Sequence, residues 1–70
     1  MHNYHINVFY SKPDEGFIAD VPDLPGCVAF GKTPQEAMQE VMAAMERWLD
    51  VARANGEEIP VPQYKPAIYR

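Results

Sequence analysis

Cysteine is nearly missing from this chain. Cys27 stands alone among 70 residues, so no disulfide can form within it. Basic residues are also in the minority, six Lys and Arg against ten Asp and Glu, for a formal charge of −4. A nucleic-acid surface needs a basic patch or stripe, so direct nucleic-acid binding is not expected. The same balance suits a basic protein as partner. Long apolar runs are absent too: the longest, Val41 to Met45, is far too short to span a bilayer. The start, Met1-His-Asn-Tyr-His5, has neither the basic opening nor the apolar stretch of a secretory signal. With one cysteine and no export signal, the chain reads as cytoplasmic. Histidines number only two, His2 and His5, and on one strand that spacing points them to opposite faces. With no second thiol beside Cys27, no metal-ligand set and no cofactor are expected.

What is present is a globular composition, with 47% hydrophobic residues. The length allows one domain, residues 1–70, near the lower limit for a self-sufficient core. Domains this small draw extra stability from disulfides, metals or association. With the first two set aside, a homodimer or higher homo-oligomer is the expectation.

Tyr4 to Tyr10 alternates, with Tyr4, Ile6, Val8 and Tyr10 on one face and His5, Asn7 and Phe9 on the other, as a half-buried strand does. Ser11 to Gly16 reads as a hairpin loop, with Pro13 setting the turn and Gly16 free to take positive φ. Phe17 to Val21 and Cys27 to Phe30 form the second and third strands of an antiparallel meander. Between them, Pro22 and Pro25 fix φ, and Pro25-Gly26 suits the centre of a type II turn. Leu24, held between the two prolines, is placed to plug one end of the core. Thr33-Pro-Gln-Glu36 reads as a capping box with Pro at the first helical position. The helix it opens runs from about Pro34 to Ala54 and stops at Asn55-Gly56.

On a helical wheel, Glu36, Gln39, Glu40, Ala43, Glu46, Arg47, Asp50 and Arg53 fall on one side, with Ala37, Met38, Val41, Met42, Ala44, Met45, Trp48, Leu49, Val51 and Ala52 opposite. The apolar side spans about 180°, where about 100° seats a helix on one sheet. Part of it is therefore available for something beyond the sheet, with Trp48 either core or an interface anchor. Met38, Met42 and Met45 line the same side, as gap-fillers or an adaptable surface. Pro60 and Pro62 cannot donate to a ladder, so the segment from Ile59 is extended and at best an edge strand, with Tyr64, Ile68 and Tyr69 able to bring residues 64–69 to a sheet edge.

Catalysis finds little support in these residues. Cys27 follows a Pro-Gly turn at a strand start, where a small buried side chain packs well. Ser11 serves the hairpin turn. A meander followed by a helix is also how a ribonuclease H fold begins, but that chemistry needs several carboxylates around two metal ions. The first strand contains no acid, and Asp20 and Asp23 lack a third partner. Asp23 is better read as accepting backbone N–H groups inside its own turn.

The run Gly16-Phe-Ile-Ala-Asp-Val-Pro-Asp-Leu-Pro-Gly-Cys27, then Gly31-Lys-Thr-Pro-Gln-Glu-Ala37, Trp48-Leu49 and Ile59-Pro-Val-Pro62, resembles the HicB antitoxin family over about residues 4–68. The resemblance implies an α/β (α+β) fold, a partial ribonuclease H-like unit without catalysis. It implies the antitoxin of a toxin–antitoxin pair, whose toxin is a small basic HicA-like ribonuclease of double-stranded-RNA-binding-like fold that cleaves mRNA with a histidine. Many such antitoxins carry a C-terminal DNA-binding segment. Residues 59–70 leave no room for one, so the short form without direct operator binding is expected.

The candidate partner-binding residues are the acidic helix side, Glu36, Glu40, Glu46 and Asp50, the acidic pair Glu57 and Glu58, and the aromatics Tyr64 and Tyr69. Two other readings stand beside toxin binding: an orphan oligomeric scaffold without a toxin, and a small nuclease holding a divalent ion on Asp20 and Asp23.

Overall fold

A computed structural model describes residues 3–65, and Tyr69 and Ile68 lie outside them. Three strands, β1 (Asn7–Ser11), β2 (Gly16–Asp20) and β3 (Val28–Gly31), precede one helix, α1 (Pro34–Ala54). Each strand pairs antiparallel with the next, in the order β1-β2-β3. This is the expected α+β meander packed on a long helix. The ladder begins at Asn7 rather than Tyr4, because its partner strand ends at Asp20 and turns away at Val21. Residues 59–65 belong to no helix or strand and join no ladder.

The register sorts side chains onto two faces. Val8, Ala19 and Ala29 stand in one row and point to α1; Phe9, Ile18 and Phe30 form the next row and point away. The core closes where Ala19, Val21, Leu24 and Cys27 meet Ala37, Val41, Met45 and Leu49 of the helix. Leu24, Leu49 and Val41 are its largest fully buried side chains. Helix α1 rides chiefly on β3 and β2 and touches β1 least.

Local chemistry sets each boundary. Leu24 O accepts from Cys27 N across Pro25-Gly26, and Gly26 has φ +82°, the positive φ that a type II turn demands. A second turn, Val21 O to Leu24 N, nests on the first, and Leu24 is driven into the core as expected. At the helix start, Thr33 Oγ1 accepts from Glu36 N at 3.1 Å. The Glu36 carboxylate reaches back to accept from Lys32 N at 2.8 Å, one residue beyond the usual capping-box partner, the N–H of Thr33. At the helix end, Glu57 N donates to Ala52 O and Gly56 N to Arg53 O, with Gly56 at φ +71°, a Schellman motif.

The hairpin loop corrects one expectation. Glu15, not Gly16, takes the left-handed conformation, at φ +52°. Lys12 O accepts from Glu15 N around Pro13, so the turn closes one residue early. Gly16 serves a different need: a Cβ there would lie 2.4 Å from the Phe30 ring. Gly31 meets a similar limit on the inner face, where a Cβ would lie 2.3 Å from the backbone N of Ala37. That contact seats the first turn of α1 against the end of β3.

Candidate partner-binding surfaces

The acidic residues of α1 stand on its solvent side. Glu40, Glu46 and Asp50 are all exposed, and Arg47 and Arg53 are interleaved with them. Asp50 accepts from Arg53 at 3.1 Å, an exposed pair one helical turn apart that adds little stability. Glu36 is exposed but already committed to the helix cap. Glu57 and Glu58 follow the helix as an exposed acidic pair. The predicted acidic contacts thus fall on one solvent-facing ridge and its continuation, broken by two arginines.

Asp20 and Asp23 do not converge on an ion. Among the described residues no group of three or more His, Cys, Asp or Glu is placed to hold a metal. Asp23 accepts backbone N–H groups, but not within its own turn: both carboxylate oxygens receive Tyr64 N, at 3.2 Å, and one also receives Gln63 N at 3.1 Å. Two further contacts hold the same segment. The Tyr4 hydroxyl donates to Pro60 O, and the His5 ring lies 4.9 Å from the Tyr64 ring. Ile59 packs against the core. Residues 59–64 therefore form an arm pinned along the Asp23 turn. Pro60 and Pro62 have no N–H to offer, so Gln63 and Tyr64 supply the donors that Asp23 receives. That pattern, a turn carboxylate and a proline-interrupted arm, was the available sequence signal for this long-range contact.

Asp20 stands on the outer sheet face between Asn7 and Val28, and its Oδ1 is buried without a partner. Cys27 is buried on the inner face. Loss of solvent pushes its thiol above the ordinary range, opposed by the nearby Arg47 charge and reinforced by Asp20. A thiol held protonated is a poor nucleophile, in keeping with a packing role.

Trp48 is half-buried, and its indole N–H donates to Pro25 O at 2.9 Å, tying the helix to the proline turn. With Ala44, Val51 and Ala52 it lines a shallow groove of about 490 Å³ against Gly26 and Cys27. On the opposite flank Met38 faces Val8 of β1 in a second shallow groove. The broad apolar helix side is thus partly open: Met42 and Val51 are more than half exposed. The outer sheet face adds Phe9, Val28 and Phe30, all exposed. No described helix is long and apolar enough to cross a membrane.

Sheet, helix and pinned arm define a small α+β protein that leaves one acidic ridge and several apolar strips open to partners. The chain belongs to the HicB-like antitoxin family: residues 4–67 match the family described as HicB_like antitoxin of bacterial toxin-antitoxin system. It is 38% identical to a UPF0150 protein of Synechocystis over 58 residues, covering 83% of this chain and 78% of that one. It is 33% identical to a UPF0150 protein of Thermoplasma acidophilum, covering 76% of this chain and 78% of the relative. A UPF0150 protein of Helicobacter pylori is 41% identical over 44 residues, 63% of this chain and 61% of that one. The family implies a toxin as the kind of partner.

Proposed function

We propose that this chain is the antitoxin of a toxin–antitoxin pair and neutralises a small basic HicA-like mRNA ribonuclease by covering it, without catalysis of its own. Family membership carries the proposal. The net charge of −4 and the exposed ridge of Glu40, Glu46 and Asp50, continued by Glu57 and Glu58, agree with a basic partner. Glu36, tied up in the helix cap, is the least available of the predicted contacts. Tyr64, exposed and held by Asp23 and His5, is an aromatic candidate contact on the pinned arm. The fold acts as one domain in the cytoplasm, the compartment where an mRNA ribonuclease meets its substrate.

Electrostatic recognition across such a ridge speeds association and makes it sensitive to salt. The test is to establish whether the adjacent reading frame encodes a basic protein of similar size and to co-express it with this chain. Relief of growth arrest and a co-purifying complex are expected. Replacing Glu40, Glu46 and Asp50 together by Lys should weaken the complex at least tenfold in titration calorimetry. A neighbour that arrests growth with or without this chain, and forms no complex, would overturn the proposal.

A further inference from the structure

We propose that Asn55-Gly56 is a site of spontaneous deamidation, gated by the last turn of α1, that adds negative charge to the acidic surface as the protein ages. The reaction needs no enzyme. Gly56 N gives up its proton and attacks Asn55 Cγ; the Cγ–Nδ2 bond breaks, and ammonia leaves with that proton. Water then reopens the resulting imide ring at either of its carbonyl carbons. Attack at Cγ gives aspartate, attack at the backbone carbon gives isoaspartate, and no electrons are gained or lost.

The chain's asparagines are Asn3, Asn7 and Asn55, and only Asn55 is followed by glycine. An attacking backbone N is hindered by its own side chain, and glycine has none. Asn3 precedes Tyr4, a buried residue, and Asn7 precedes the β-branched Val8. Asn7 is held further by the β1–β2 ladder, opposite Asp20.

The helix end sets the pace. Asn55 has φ −87° and ψ 1°, so Gly56 N eclipses Asn55 N and is turned from the side chain it must attack. Arg53 O holds the Gly56 N–H at 3.1 Å, and Ala52 O holds the Glu57 N–H at 2.8 Å. Ring closure therefore waits for this turn to open. Little opposes the opening: residues 53–58 are all exposed, and Ala52 is the last buried residue of the helix. Helix ends without buried contacts open far more often than a core does.

Both products act at the same place. A carboxylate at residue 55 meets the negative end of the helix dipole and is followed by Glu57 and Glu58. Isoaspartate also adds a methylene to the main chain, which throws the two closing hydrogen bonds out of register. The helix end thus loosens while its charge grows, where the acidic ridge runs on from Asp50 toward the pinned arm.

Ageing the intact chain at slightly alkaline pH and mapping its peptides by mass spectrometry tests the proposal. Asn55 should convert about tenfold faster, or more, than Asn3 or Asn7. Isoaspartyl methyltransferase with a labelled methyl donor should mark the isoaspartate formed, and Asn55→Gln should abolish the label. In urea, where the last turn is open, conversion should speed up by about tenfold or more. Hydrogen exchange at Gly56 and Glu57 should quicken in the aged chain, while amides of β2 keep their protection. An Asn55 that stays intact, or conversion just as fast at Asn3 or Asn7, would overturn the proposal. So would label retained in Asn55→Gln, equal rates with and without urea, or unchanged exchange at the helix end.

Discussion

The two faces of the three-stranded sheet carry similar side chains and meet opposite fates. Inside, Val8, Phe17, Ala19 and Ala29 pack against a helix fitted so closely that Gly31 has no room for a methyl group. Outside, Phe9, Ile18, Val28 and Phe30 form an apolar patch bordered by Asn7 and Asp20, with nothing over it among the described residues. The difference teaches that hydrophobicity alone does not say where stability resides. Burial against a fitted partner does, and the outer row has that only if another molecule supplies it.

The comparison is broken most severely at the core. Leu49 is fully buried, and Leu49→Ala should cost about 2–5 kcal/mol in urea unfolding, the range for a large-to-small core substitution. Phe9 is half exposed on the outer face, and Phe9→Ala should change the stability of the monomer by no more than about 0.5 kcal/mol. A loss at Phe9 as large as that at Leu49 would mean that the outer row is covered in solution.

The glycines sharpen the same contrast. A methyl group on Gly31 meets the backbone of Ala37 and Glu36, which cannot yield without moving the helix start. Gly31→Ala should therefore cost about 1–3 kcal/mol, as overpacking does. On Gly16 the nearest obstacle is the Phe30 ring, an exposed side chain able to rotate aside, with the backbone O of Gly31 next at 2.9 Å. Gly16→Ala should cost less than Gly31→Ala, and adding Phe30→Ala should remove the part of its effect that comes from the ring. Equal costs that survive Phe30→Ala would show that the outer ring is as firmly held as the inner helix.

Much of the inner face was legible in the residues because it is specified locally. Pro25-Gly26 dictated its turn, Thr33 and Pro34 the helix start, and Asn55-Gly56 the stop; alternation along the first strand placed Val8 inside and Phe9 outside. Errors arose where a contact is long-range. Gly16 looked like the residue for positive φ, yet it is needed beneath Phe30, a neighbour on another strand, and Glu15 absorbs the strain. Asp23 was rightly read as an acceptor of backbone N–H groups, but its donors stand forty residues on, at Gln63 and Tyr64. The acidic ridge was visible as a wheel pattern. What it binds is not written in that pattern, because exposed charge takes many partners.

The pinned arm is an intermediate case, ordered by hydrogen bonds rather than by depth. Asp23→Ala removes the acceptor for Gln63 N and Tyr64 N, and should cost about 1 kcal/mol, since the bonds are exposed and water replaces them. Hydrogen exchange at Gln63 and Tyr64 should speed up at least several-fold, while amides in β2 keep their protection. Exchange rising across β2 as well would show that the arm is part of the core.

The smallest effect should appear at the hairpin tip, remote from both faces. Glu15 holds φ +52°, a conformation that costs a side-chain-bearing residue roughly 1–2 kcal/mol. Glycine adopts it without that penalty but loses more chain entropy on folding. Glu15→Gly should therefore stabilise the protein by only about 0.5 kcal/mol, read as a small rise in the urea midpoint at unchanged slope. Because Glu15 is exposed, the gain cannot come from packing on either face. A destabilisation would mean that the Glu15 side chain has a role beyond closing the turn, and the hairpin tip would join the surfaces that await a partner.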